Sequence, residues 1–201
     1  MAWSSAVRRL LLACFASVLV TTVVAGSPAS SAPVAKQTTK IVVKVKHCDG
    51  CRVRLANHNF AAVVNVVDFG EKKVRRGKVA FRVPRPYVEG FVFSVRDPRA
   101  TGANYEEIAV VRYAGKKTGK KVSAKAARRA KRAYPCWAGS SKRKVTLHLT
   151  VDRFTGKAID GRKATFLRAY FSPGLRPFGA KSDTWHGVLG TQYPFSCYSP
   201  I

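Results

Sequence analysis

Short runs of alternating residue types constrain this fold more than any other feature of the sequence. Ile41, Val43 and Val45 alternate with a second set that includes Lys44 and Lys46. Because successive side chains of a strand point to opposite faces, this period of two predicts β-strands with one buried face. Further strands are predicted over residues 51–55, 60–69, 79–83, 91–95, 108–113, 145–151 and 164–171.

The predicted fold is mainly β, because short strands at this spacing are typical of an antiparallel β-sandwich. An immunoglobulin-like arrangement is expected by analogy only. Asp49-Gly50 lies between the first two strands and predicts a type I′ hairpin turn there. Ser123 can cap one short basic helix over 124–133, which Tyr134-Pro135 ends. Two organisations stay open: one domain of about 160 residues, or two β-rich sub-domains hinged at the helix.

The first 25 residues have the pattern of a secretory signal peptide. Arg8 and Arg9 precede an uncharged apolar run over 10–25. That run is shorter than the roughly 20 residues of a spanning helix, so the mature chain is expected to lack a transmembrane segment and to be secreted, extracellular or envelope-associated. An uncleaved anchor is the alternative. The expected order is signal peptide 1–25, flexible leader 26–39, β-sandwich half 40–122, basic helix and linker 123–135, and a second β-rich half 136–201 closed by a disulfide.

Four cysteines remain after the signal peptide, and an even number in an exported chain favours two disulfides. Of three possible connectivities, Cys48–Cys51 with Cys136–Cys197 is preferred, and the second would close a loop that contributes about 4 kcal/mol. The Cys48–Cys51 pair beside His47 resembles the CxxC of heavy-metal-associated domains over four residues. Those domains continue into a helix, whereas this chain continues into a strand pattern. Two sulfur ligands are also fewer than the four of a structural zinc site, so no metal is expected.

A large positive charge is the main functional signal. The chain has 37 Lys and Arg against 10 Asp and Glu, a net charge of +27. Without Arg8 and Arg9, 35 basic residues face the same 10 acids, which gives +25. Such a charge attracts polyanions. The densest basic run predicts contacts to an anionic polymer or surface through Lys116, Lys117, Lys120, Lys121, Lys125, Arg128, Arg129, Lys131 and Arg132.

The sequence gives little support to nucleic-acid binding or catalysis. No helix-turn-helix or zinc-finger spacing is present, and the basic run has few aromatic residues for base stacking. Gly-x-Ser-x-Gly, His-Glu-x-x-His and P-loop patterns are also missing, so neither an enzyme nor a cofactor is predicted. The expected function is non-catalytic binding of an anionic envelope or extracellular polymer. The alternatives are a structural or protein-interaction domain with no polyanion ligand, and an envelope enzyme with an unrecognised site.

Overall fold

The structure is a computed structural model that describes residues 37–57, 67–100, 106–130, 133–158, 160–178 and residue 197. The predicted signal peptide and most of the leader lie outside these ranges, as do Lys131 and Arg132. The prediction of a mainly β fold is confirmed. The strands are β1 Thr38–Lys46, β2 Arg52–Asn57, β3 Val67–Lys73, β4 Lys78–Pro84, β5 Phe91–Arg96, β6 Glu106–Ile108, β7 Arg112–Tyr113, β8 Ala133–Tyr134, β9 Lys144–Lys157 and β10 Lys163–Phe171.

Two four-stranded sheets organise these strands. The first sheet has the order β10-β9-β1-β4 and the second has the order β3-β2-β5-β6, while β7 and β8 form a small ribbon. Within the first sheet β1 pairs parallel with β9, so this sheet is mixed and differs from the fully antiparallel expectation. Parallel pairing needs a long connection, and about 100 residues separate β1 from β9.

Both sheets contribute to one hydrophobic cluster. Ile41 and Val43 on β1 belong to it, as do Val53 and Leu55 on β2, and none of these four side chains is accessible to solvent. The alternation in the sequence therefore does mark buried and exposed faces. Rings from the two sheets also meet directly, since the centroids of Phe93 on β5 and Phe171 on β10 are 5.0 Å apart, edge to face. Trp137 stacks on Phe91 at 5.9 Å.

The predicted hairpin at Asp49-Gly50 is wrong. β1 pairs with β4 and β9, whereas β2 pairs with β3 and β5, so residues 47–51 carry the chain from one sheet to the other. Gly50 has a φ of 85°, but Asp49 does not share the positive φ that a type I′ turn requires of both central residues. Local sequence marked a turn here without specifying which strands the turn would join.

A true two-residue turn lies between β3 and β4. Arg76 and Gly77 have φ values of 51° and 64°, the left-handed pair that a type I′ turn requires. Arg75 and Lys78 flank them and exchange two backbone hydrogen bonds of 3.1 Å. This turn was not predicted from the sequence.

The helix α1, Ala124–Arg129, is shorter than predicted. Ser123 caps it as expected, because its Oγ accepts a hydrogen bond of 3.2 Å from the backbone N–H of Ala126. The helix cannot continue to residue 133, since Ala133 pairs with Tyr113 in the β7–β8 ribbon. Tertiary pairing therefore limits the helix before the Tyr-Pro stop is reached.

Candidate functional site

The described part of the predicted polyanion site forms an exposed basic segment, which we define as residues 116–129. None of its cations forms an ion pair with another described residue. The two remaining predicted residues, Lys131 and Arg132, lie outside the described residues. The exposed cations of the basic segment are Lys116, Lys117, Lys120, Lys121, Lys125, Arg128 and Arg129.

A small hydrophobic cluster anchors the basic segment. Ala127 of α1 is 1% exposed and packs in a cluster with Tyr113 and Tyr170 on the outer side of β10. The Tyr170 hydroxyl donates a 3.2 Å hydrogen bond to Asp152. Burial, helped by the nearby Asp152 carboxylate, raises the pKa of Tyr170 to about 12, so this phenol stays neutral at ordinary pH. The helix is therefore held by uncharged packing while its cations face solvent.

A second set of cations lies on the outer face of the first sheet, and we call it the cationic face. Lys40 on β1 is directly opposite Arg82 on β4 and Lys144 on β9. Lys44 is directly opposite Lys78 on β4, and no ion pair between described residues engages any of these cations. The exposed members of the cationic face are Lys40, Lys44, Lys46, Lys78, Arg82 and Lys144.

Sequence reasoning missed the cationic face as a site. The alternation in β1 already placed Lys44 and Lys46 on its polar face. Their neighbours on β4 and β9 depend on long-range register, which a local pattern does not specify. A run of charges along the chain is visible in a sequence, whereas a row of charges across strands is visible only in the folded sheet.

On the second sheet, unlike on the cationic face, arginines form ion pairs with acidic residues of the same sheet. Arg52 and Arg96 both bond to Glu71, at 2.9 and 2.5 Å, and Arg54 bonds to Asp68 at 2.5 Å. Burial alone would raise the pKa of Glu71, but the hydrogen bonds from the two arginines outweigh it and hold that pKa below its usual value. The contrast shows that the unneutralised charge of the described chain is unevenly distributed between the two sheets.

The corner between β1 and β2 holds a buried polar cluster. Cys48 and Cys51 are buried there with Cα atoms 5.4 Å apart, a separation compatible with a disulfide. Asp97, just after β5, is fully buried and forms an ion pair with Arg153 of β9. The Arg153 guanidinium also lies 3.1 Å from the Cys48 Sγ and donates to the carbonyl oxygen of His47 at 2.9 Å. This cluster joins the two sheets at the corner.

The same corner holds the one group of metal-ligand side chains found among the described residues. One ligand atom each from Cys48, Cys51 and Asp97 lies within 4.8 Å of the others. Paired cysteine sulfurs are not thiolates, however, and a metal requires the deprotonated thiolate. The Arg153 guanidinium already supplies the positive charge next to Asp97. The arrangement fits a structural corner better than a metal centre.

Cys136 and Cys197 form the second disulfide-compatible pair, with Cα atoms 5.8 Å apart. They lie in a small cluster of their own with Phe178, separate from the cluster that the two sheets share. An open cleft lies nearby, lined by residues that include Arg85, Ser140 and Arg176 but no histidine or cysteine. Glu89 and Ser141 also line this cleft.

In the described ranges, no helix combines the length and the apolar character needed to cross a membrane. No protein-family model, characterised protein or solved structure matches this chain.

Proposed function

We propose that this protein is exported, is not an enzyme, and binds an anionic polymer of the cell envelope or the extracellular space. The observation that carries the proposal is the basic segment, whose seven described cations are exposed and unpaired among the described residues. A polymer that presents many phosphates or carboxylates would supply the missing counter-charges.

The energetics of α1 support this proposal. Lys125 and Arg129 are an i, i+4 pair of like charges, which costs a few tenths of a kcal/mol in an isolated helix. A helix of six residues is also too short to be stable without packing. Ala127 supplies that packing, but it does nothing to relieve the repulsion. The helix has no large apolar side chain to insert into a bilayer, so electrostatic docking is the interaction it fits.

The fold and the cysteines support the remaining parts of the proposal. The hydrophobic cluster that both sheets share fits two sheets packed face to face, and we propose a β-sandwich, immunoglobulin-like by analogy. Two cysteine pairs at disulfide-compatible distances suit an oxidising compartment, which agrees with export.

The test is co-sedimentation of the purified protein with cell-wall preparations over roughly 50–500 mM salt, a range in which screening lengths fall from above 10 Å to well below it. We expect binding that weakens steeply with salt. The segment variant, Lys125→Gln/Arg128→Gln/Arg129→Gln, should bind on the order of 100-fold more weakly, given about 1 kcal/mol for each cation close to an anionic surface.

A control variant with the same change in net charge makes this test specific. Lys73→Gln/Lys157→Gln/Lys163→Gln removes three exposed cations that lie outside the basic segment and the cationic face. The control should keep most of the binding. Absence of binding, or equal losses in both variants, would leave the basic segment as a solvated surface and favour a structural or protein-interaction role.

A further inference from the structure

We infer that the cationic face is a docking surface for a linear phosphate polymer that carries no aromatic bases. This inference rests on the proposed function and deepens it, because it names the chemistry of the polymer and adds a second set of contacts. The occupant is an extended chain of phosphates lying across β9, β1 and β4. The cations are spread over three strands of an open sheet surface, which suits an extended polymer better than a single small anion.

The strand register arranges the cations in two rows. The first row runs from Lys144 through Lys40 to Arg82, and the second contains Lys44 and Lys78. Neighbouring strands are about 4.8 Å apart, so the first row crosses roughly 10 Å and the second about 5 Å, and four residues along β1 separate the rows by about 13 Å. Like charges directly opposite each other destabilise a sheet. Lys144, Lys40 and Arg82 are opposed in this way along the first row, so their like charges repel each other. A polyanion bound across the row would replace this repulsion with attraction.

No described acid forms an ion pair with a cation of either row. Asp152 lies beyond the end of β1 and is engaged by the Tyr170 hydroxyl and by His47, whose Nδ1 is 3.8 Å away. Asp49 lies at the same end, where its Oδ1 accepts a hydrogen bond of 3.3 Å from the backbone of Gly77. Both carboxylates are therefore at one margin of the face, away from the row that contains Lys40.

The cationic face is continuous with the basic segment. The carbonyl oxygen of His148 on β9, directly opposite Lys44, accepts a 3.0 Å hydrogen bond from the backbone N–H of Ser172. The Ser172 Oγ in turn accepts a 3.1 Å hydrogen bond from the backbone N–H of Val122, next to Lys121 in the basic segment. One polymer could therefore contact α1 and the first sheet at the same time.

The side chains of the face suit a phosphate polymer. Five of its six exposed cations are lysines, whose ammonium groups bind phosphates as point charges without the bidentate geometry of an arginine fork. Between the rows lie Val42, Ala80 and Thr146, so the described residues there offer no aromatic ring on which a base could stack. Between the rows, the described part of the face thus fits a phosphate backbone and offers no ring on which a nucleobase could stack.

The test measures binding of end-labelled long-chain inorganic polyphosphate by fluorescence anisotropy at about 100 mM salt, where charges still interact over roughly 10 Å. The face variant, Lys40→Gln/Lys44→Gln/Arg82→Gln, is compared with the control Lys73→Gln/Lys157→Gln/Lys163→Gln. We expect the face variant to bind on the order of 100-fold more weakly. The slope of log affinity against log salt should be smaller by about 2, because three phosphate contacts are lost.

Further measurements separate the outcomes. The face variant should melt at or above the wild-type temperature in low salt, since opposed like charges have been removed, so weak binding would not reflect misfolding.

Equal losses in the face and control variants would overturn the inference, as would tighter binding of oligothymidylate than of polyphosphate with equal charge. If only the segment variant loses binding, this inference fails while the proposed function stands. If the wild type binds no polyanion, both fail.

Discussion

At the scale of single residues, we expect the ion pair between Asp97 and Arg153 to be the contact most sensitive to mutation. Asp97 is fully buried, and its carboxylate also accepts hydrogen bonds from the backbone N–H and the Nε of Arg99, at 3.0 and 3.1 Å. Burial alone would raise the pKa of Asp97, but the bonds from Arg99 and Arg153 outweigh it and lower that pKa below its usual value. The charged form is therefore the one that the fold requires.

Asp97→Asn should lower the free energy of unfolding by about 3 kcal/mol, because it leaves the partly buried Arg153 without its counter-ion. The unfolded carboxyl titrates near 3.9, so the stabilisation by Asp97 is complete above that pH and is lost as pH falls through the lower folded pKa. The variant should therefore show a shallower loss of stability below about pH 4. Urea unfolding at several pH values measures both effects.

Asp160→Asn is the matched control for this prediction. Asp160 also pairs with an arginine, Arg162, at 2.7 Å, but its side chain is 49% exposed. An exposed pair contributes at most about 1 kcal/mol. Similar losses in the two variants would contradict the view that the corner cluster is a buried structural junction.

At the scale of elements, α1 depends on its cap and on one packed side chain. Ser123→Ala removes the hydrogen bond to the Ala126 N–H and should cost about 1 kcal/mol. Because the helix is short, we expect the loss to appear as local opening, with faster amide exchange across 124–130 and little change in the strands. Hydrogen exchange measures this, and uniform acceleration throughout the chain would show instead that α1 unfolds only with the whole domain.

Element identity was far easier to predict from sequence than element pairing. The alternation identified β1, β2, β4 and β9, in which buried positions alternate with more exposed ones. The partners were not predicted, since the parallel pair β1–β9 joins segments about 100 residues apart. Asp49-Gly50 predicted the wrong connection because a turn signal does not name the sheets it joins. The basic segment was predicted from a run along the chain, whereas Lys40 and Arg82 become neighbours only through register.

At the scale of the whole molecule, charge and hydrophobic contacts are both divided between regions. Arginines of the second sheet form ion pairs with Asp68 and Glu71. The cations of the cationic face and the basic segment form no ion pair with any described residue. The shared cluster joins the two sheets, and a smaller cluster around Cys136 and Cys197 lies apart from it. A surface with this much unpaired positive charge repels itself, so the buried clusters must offset that repulsion in the folded chain.

The pair Cys136–Cys197 should contribute most of the cross-link stabilisation. Its sequence separation is 61, against 3 for Cys48–Cys51, and a longer loop restricts the unfolded chain more. We expect Cys136→Ser/Cys197→Ser to lower the free energy of unfolding by about 4 kcal/mol, and Cys48→Ser/Cys51→Ser by about 2 kcal/mol. Urea unfolding of both double variants under non-reducing conditions measures the difference. A larger loss at the corner pair would mean that contacts with Arg153, rather than loop closure, dominate.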